Sequence, residues 1–414
     1  MSTRPDAVGD IAQRIHYLDN LRAFAMILGV FYHASLAYAA VVQDVWVVKD
    51  SGSSVALSLF GTLSHLFRMP LFFAIAGFFA NMLLEKRGAA GFVRNRAQRI
   101  ALPFALFLPI LGVCLILVVQ FTASYLSELP PLLAAGAAAA EAGAPPQVTT
   151  AHLWFLYYLM LFYGLALALR RLCPARIAGA VAEILLSPRA LPFVPLALLP
   201  ALASTAVPTP PPEQFVPQLW AVGYHGAFFL FGWHLYRRRS YVERLQAHLV
   251  PLALVSLVLF TGFYALLPSE IPLTDLDALL SPPLSIHQVG MAALQAYLSI
   301  YLVLIALCLG QRWLSQESPA LRYVADASYW IYLVHLPLVL LLQTLLAELA
   351  WNPWIKFVTT SAATLAVAGI SYDAVVRYTW IGAMLNGRKV RSKRRPRAHD
   401  VPAALPEAPE GSGS

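Results

Sequence analysis

Charge is what this chain has least of: Asp, Glu, Lys and Arg make up 12% of its 414 residues, against 59% hydrophobic. Soluble domains carry roughly 25% charged residues, so that class is excluded. Cysteine is almost as scarce. Cys114, Cys173 and Cys308 lie far apart in or beside apolar stretches, which excludes a disulfide framework and the paired spacing of a structural zinc site. Apolar and polar residues do not alternate with a period of two, as the strands of a membrane barrel would require. Also missing is an internal repeat, and carboxylates are scarce within the apolar stretches; repeats and such carboxylates are marks of many ion-coupled transporters.

What the chain has is apolar runs, near 21–42, 55–82, 100–121, 152–170, 190–206, 218–236, 249–268, 288–310, 328–349 and 354–376. Each approaches or exceeds the roughly 17 to 25 residues with which a helix crosses a bilayer core of about 30 Å. In lipid such a run has to satisfy its own backbone hydrogen bonds. The expectation is an all-α, polytopic integral membrane protein of about ten transmembrane helices. Residues 1–16 read as a polar leader, 17–387 as one membrane domain, and 388–414 as a basic and then disordered cytoplasmic tail. Ala37-Tyr38-Ala39 has the small residues of a signal-peptide cleavage site. The stretch before it is longer than a signal core and contains His33, so it is taken as the first membrane helix.

Short loops rich in Lys and Arg stay in the cytoplasm. With the N-terminus inside, all but Lys49, Arg68 and Lys356 of the 29 basic residues fall on inner segments, and both termini are cytoplasmic. The opposite loops carry Asp44, Asp50, Glu128, Glu141, Glu213, Glu270, Asp275 and Asp277. The net charge of +8 is thus accounted for by topology, with no nucleic-acid partner implied. The basic tail also suits anionic lipid headgroups. The Ala-rich stretch 134–144 reads as either a short surface helix or a loose lid.

Ionisable groups inside a membrane are costly and are functional candidates by default. Arg22 and His33, eleven residues apart, share a helix face about 16 Å apart along the axis. They read either as a rim cation with a deeper reactive imidazole, or as a topological Arg with a buried, hydrogen-bonded His. Arg68, just before Pro70, either faces a watery pocket or pairs with a carboxylate such as Asp44. Arg96 and Arg99 can face the same way, and guanidinium groups bind phosphate through two donors at once; positive-inside topology also predicts basic residues there. His152 and Trp154 open a helix at its outer end, where aromatic residues form interfacial belts. His225 and His335 have no metal-like partner at i+4, so no metal site is expected.

These residues fall into a pattern. Tyr17-Leu18-Asp19-Asn20-Leu21-Arg22 through Tyr32-His33, with its Arg, ten residues, His spacing, resembles the opening segment of the acyltransferase-3 superfamily. Phe67 to Phe78 is similar to the second segment, though Ala76 stands where Ser often precedes Gly-Phe. Arg96-Ala97-Gln98-Arg99 resembles the family's two-arginine motif, and Ser328-Tyr329-Trp330-Ile331-Tyr332-Leu333-Val334-His335-Leu336-Pro337 another signature. Tyr372 to Lys389 resembles more narrowly the branch that succinylates osmoregulated periplasmic glucans. The resemblance implies a multi-pass enzyme of the bacterial inner membrane. It would move an acyl group, succinyl favoured and acetyl possible, from cytoplasmic acyl-CoA to hydroxyls of an envelope glucan, with no bound cofactor. His33, Arg22 and Arg68 would be catalytic, Arg96 and Arg99 would hold the donor, and His152, Trp154 and His335 are candidates for the acceptor. A secondary transporter or exporter of a carbohydrate or lipid-linked intermediate is the alternative.

Overall fold

The computed structural model describes residues 6–145, 148–268, 282–316 and 318–387, and all regular structure among them is helical. Among the described residues six stretches are long and apolar enough to cross a membrane: Val55–Tyr125, Ala151–Leu172, Ser240–Ala265, Ile286–Trp313, Pro319–Ala347 and Pro353–Val376. The protein is therefore a helical membrane protein. Ahead of them, α1 (Asp6–Leu36) carries Asp19, Asn20, Arg22 and His33 among its apolar residues. It begins at Asp6, so residues 6–16 of the expected polar leader are helical.

The first apolar stretch, 71 residues long, contains two of the expected crossings. They are α2 (Val55–Arg96) and α3 (Leu102–Tyr125), joined by a π-helical turn at Ala97–Ala101. Gly88 kinks α2 at φ 66°, a conformation that glycine adopts without steric cost. The Ala-rich segment forms α4 (Pro131–Glu141), a surface helix with no buried residue. Then come α5 (Trp154–Leu172), α6 (Ala175–Leu185), α7 (Leu199–Ala203) and α8 (Leu219–Leu235). The remainder are α9 (Ser240–Leu245), α10 (Leu249–Ala265), α11 (Ile286–Trp313), α12 (Pro319–Ala347), α13 (Pro353–Ser371) and α14 (Trp380–Asn386).

One expected crossing is not a regular helix. At 190–206 the helical part is Val194–Ala203, 3₁₀ turns followed by the short α7. Ten residues rise at most about 20 Å even as 3₁₀ helix, short of a bilayer core. The cause is local, because Pro192, Pro195 and Pro200 interrupt the run and each withholds a backbone donor. Glu270, Asp275, Asp277 and the tail from Arg388 lie outside the described residues.

Packing centres on α1, which lies against α2 and α12, and on the crossing of α2 with α8. That crossing is built on glycine. A Cβ on Gly77 would overlap the Phe229 carbonyl, and one on Gly232 would overlap that of Ala74. Small residues let membrane helices approach backbone to backbone. Gly77, the motif glycine, therefore serves packing. At one end of α1 the chain folds back through residues 37–54, pinned by Asp50 N–H to the Ala37 carbonyl and Ser54 N–H to the Tyr38 carbonyl. Asp50 pairs at 2.5 Å with Lys356 of α13, and both side chains are buried. Lys356 also donates to the Ala347 carbonyl, and Asp50 accepts from Gly52 N–H.

Candidate active site

His33 stands where α1, α2, α12, the turn before α5 and the folded-back loop meet. Trp46 of that loop stacks on its ring, with centroids 5.5 Å apart and planes 20° apart. Gln343 of α12 sets this arrangement. Its carboxamide N–H groups donate to the His33 and Ala34 carbonyls at 3.0 and 3.1 Å, while its oxygen accepts from Trp46 Nε1 at 2.9 Å. The backbone at His33 and the indole over its ring are thus fixed by one buried amide.

Two more imidazoles face this point. The His335 ring lies 5.3 Å from that of His33 and 5.5 Å from that of His152. Their tautomers follow from their partners. His335 Nδ1 is 2.6 Å from the Tyr332 carbonyl and donates to it, so Nε2 is left as an acceptor. His152 Nε2 donates to the Leu333 carbonyl at 3.0 Å, which leaves Nδ1 as the acceptor. Pro337, four residues after Leu333, has no N–H with which to close the helix bond to that carbonyl. The proline of the signature thereby frees a carbonyl that orients a histidine on another element. Tyr332 completes the link by donating to the His152 carbonyl at 2.7 Å. His33 Nδ1, His335 Nε2 and His152 Nδ1 are all buried without a partner.

Arg68 is buried on α2, its guanidinium 4.2 Å from the centre of the Tyr32 ring. Such a cation–π contact stabilises a desolvated cation by about 2 kcal/mol. Asp44 is not its partner, because that carboxylate pairs with Lys49 at 2.6 Å. Among the described residues Arg68 has no carboxylate, and its Nε has no hydrogen-bond partner. Helix α2 runs unbroken through Pro70, so no break opens the backbone beside Arg68. A Cβ at Gly29 would come within 2.9 Å of the guanidinium. His65, one turn before Arg68, accepts from the Tyr32 hydroxyl at 3.0 Å and donates to the Thr209 carbonyl at 2.9 Å. Arg68, His335, His152 and His65 all act electrostatically on His33. Among the described residues no three His, Cys, Asp or Glu side chains are placed to hold a metal ion.

The remaining candidates lie elsewhere. Arg22, three turns from His33, is partly exposed, pairs with Asp19 at 3.2 Å and lies over Phe79. Arg99 packs against Gly387, and the charges of Arg96, Arg87 and Arg22 act on it. An open groove of about 340 Å³ runs beside it, lined by Arg87, Asn95, Gln98, Arg99 and, from α14, Ala383 and Met384. Arg96 does not line that groove; it reaches Tyr163 and Asn95 instead. Tyr329 donates to the Arg99 carbonyl at 2.9 Å, a carbonyl to which Pro103 offers no N–H. Trp154 turns away from His152 into an aromatic cluster with Phe73 and His225.

Sequence reasoning did not single out Tyr32, Trp46, Tyr332 or Gln343, and it left His65 without a role. Gln343 had a usable signal: an amide in an apolar helix, eight residues beyond His335 and so close to its face. Trp46 had none, since its place depends on the loop folding back.

Comparison with known proteins bears on this arrangement. The acyltransferase-3 family model, described as an acyltransferase domain, matches residues 15–373. The chain is 24% identical over 396 residues to glucans biosynthesis protein C of Escherichia coli (strain K12), covering 94% of this chain and 98% of that protein. It is 24% identical over 389 residues to the same-named protein of Salmonella gallinarum, covering 91% and 96%. With that of Salmonella typhimurium it shares 23% over 397 residues, covering 94% and 98%. No solved structure matches. The family match takes in α1 with His33, the two-arginine segment and the His335 signature, and so the chain belongs to the acyltransferase-3 family and is a membrane acyltransferase.

Proposed function

We propose that this enzyme moves an acyl group, succinyl in preference to acetyl, from acyl-CoA at the cytoplasmic face of a bacterial inner membrane to a hydroxyl of a periplasmic glucan. The observation that carries the reading is the half-buried His33 imidazole among unpartnered polar groups, with arginines three turns away on the same helix and beside it. Glucan as acceptor is supported by the names of the relatives, whose likeness runs the length of the chain.

In this reading Arg22, Arg96 and Arg99 hold the donor's phosphates, and the groove beside Arg99 gives the nucleotide end a place to lie. His33 takes the proton of the acceptor hydroxyl as its oxygen attacks the thioester carbonyl. The ester C–O bond forms, the C–S bond breaks, and the proton passes from His33 to the departing thiolate, giving free CoA. Arg68, a guanidinium with no carboxylate partner among the described residues, stabilises the oxyanion. A placed general base is worth about 10² to 10⁴ in rate. His152 faces the acceptor, and acyl-CoA is a co-substrate with no cofactor bound.

The test is mass spectrometry of periplasmic glucans from cells with and without the gene, paired with CoA release by purified protein given glucan. Loss of succinyl units together with CoA release supports the reading. Loss of acetyl units redirects the donor. Unchanged glucans and no CoA release remove it.

A further inference from the structure

Two of the unpartnered nitrogens complement each other. His335 Nδ1 carries its proton to the Tyr332 carbonyl, so its buried Nε2 has a lone pair and needs a donor. His33 Nδ1 is buried and also without a partner. If His33 carried its proton on Nε2, both buried nitrogens would hold lone pairs and neither would have a donor. With the proton on Nδ1 both needs are met. The spacing is compatible, because two imidazoles joined by one N–H···N bond have centroids about 5.1 Å apart, from a bond of roughly 2.9 Å and ring radii of about 1.1 Å. The observed separation is 5.3 Å. As the rings stand the bond is not made, since both nitrogens are without a partner.

We infer that His335 is the positioning residue of His33, its Nε2 accepting the His33 Nδ1 proton and thereby turning the basic Nε2 of His33 toward the substrate hydroxyl. The chain of contacts runs from the Tyr332 carbonyl through His335 to His33. It does for this histidine what a buried carboxylate does for the histidine of a serine hydrolase: it fixes the tautomer and shares the charge of the imidazolium. A neutral partner suits this site, since a carboxylate at that distance would pair with Arg68. His335 is thereby moved from the acceptor to the base. The assignment rests on His33 being the base.

Two substitutions separate positioning from bulk. In His335→Asn the amide can still donate to the Tyr332 carbonyl but ends short of His33. His335→Gln carries a carbonyl oxygen to about where Nε2 stands. With purified protein, succinyl-CoA and glucan, kcat should fall by about 100-fold in the Asn variant while both KM values stay within about twofold. The Gln variant should recover about tenfold of that loss. The inference is overturned if the Asn variant keeps its kcat, if the acceptor KM rises in its place, or if Asn and Gln variants are equally impaired. Should the Asn variant not accumulate in the membrane, His335→Phe, of similar shape and lacking an acceptor, is compared with Gln on the same terms. Wild-type protein that releases no CoA would remove the base itself and this assignment with it.

Discussion

His33 carries the sharpest expectation at the scale of single residues. His33→Ala should abolish CoA release and yet insert normally, since it removes a polar group from an apolar helix and keeps helix propensity. His33→Gln, which hydrogen-bonds but takes no proton near neutral pH, should be as inactive; turnover in that variant would end the general-base role. Arg96→Ala with Arg99→Ala should raise the KM for acyl-CoA, and an unchanged KM with failed insertion would reduce the pair to a topology signal. Glu213 gives a pH test outside the membrane. Burial pushes its carboxyl up to about 7, against the pull of the Thr149 hydroxyl. Its carbonyl accepts from Thr150 N–H and Oγ1, both at 2.8 Å, and so steadies the turn that presents His152. Because the folded protein holds this proton more tightly than the unfolded chain, stability falls as pH rises from about 4.5 to about 7. Glu213→Gln should narrow the difference in melting temperature between pH 5 and pH 8; an undiminished difference would assign the effect elsewhere.

At the scale of elements, prolines and glycines decide what helices can do for one another. Pro337→Ala would restore an N–H opposite the Leu333 carbonyl, which then has two donors competing for it. His152 would lose its fixed tautomer, and turnover should drop about tenfold at unchanged expression; full activity would show that the freed carbonyl is idle. Gly77→Leu and Gly232→Leu should each prevent the close crossing of α2 and α8 and lower the yield of folded protein, measured by size exclusion in detergent. Run length in the sequence finds most helices because lipid leaves the backbone no other partner, whereas at 190–206 the proline spacing outweighs hydropathy. His33, Arg68, His152 and His335 are legible as ionisable groups in apolar surroundings. Their meeting is not, since it depends on crossings set by Gly77 and Gly232 and on a carbonyl freed by Pro337. Trp154 misled for the opposite reason: an aromatic residue at a helix start reads as interfacial, but its neighbours on α2 and α8 bury it.

For the whole molecule, the buried Asp50–Lys356 pair ties the loop over His33 to α13. Removing one partner leaves a buried charge, so Lys356→Met should cost about 3–5 kcal/mol. Adding Asp50→Asn to it should return much of that. If the double variant melts no higher than the single one, the pair is not coupled. Sidedness can be read with single thiols introduced into a background lacking Cys114, Cys173 and Cys308. One near Arg94 should resist an impermeant reagent in intact cells and one near Glu128 should react; the reverse would put the donor on the wrong side. The same loop has a consequence for how the protein is made. The Gln343 bond to the His33 carbonyl spans 310 residues and the Asp50–Lys356 pair 306. On the ribosome, α1 therefore enters the bilayer with His33 long before α12 and α13 exist to surround it. An unfinished chain carries that imidazole without the Gln343 amide that fixes the indole over it and without the His335 ring beside it, so these surroundings of His33 assemble only once the last helices are made.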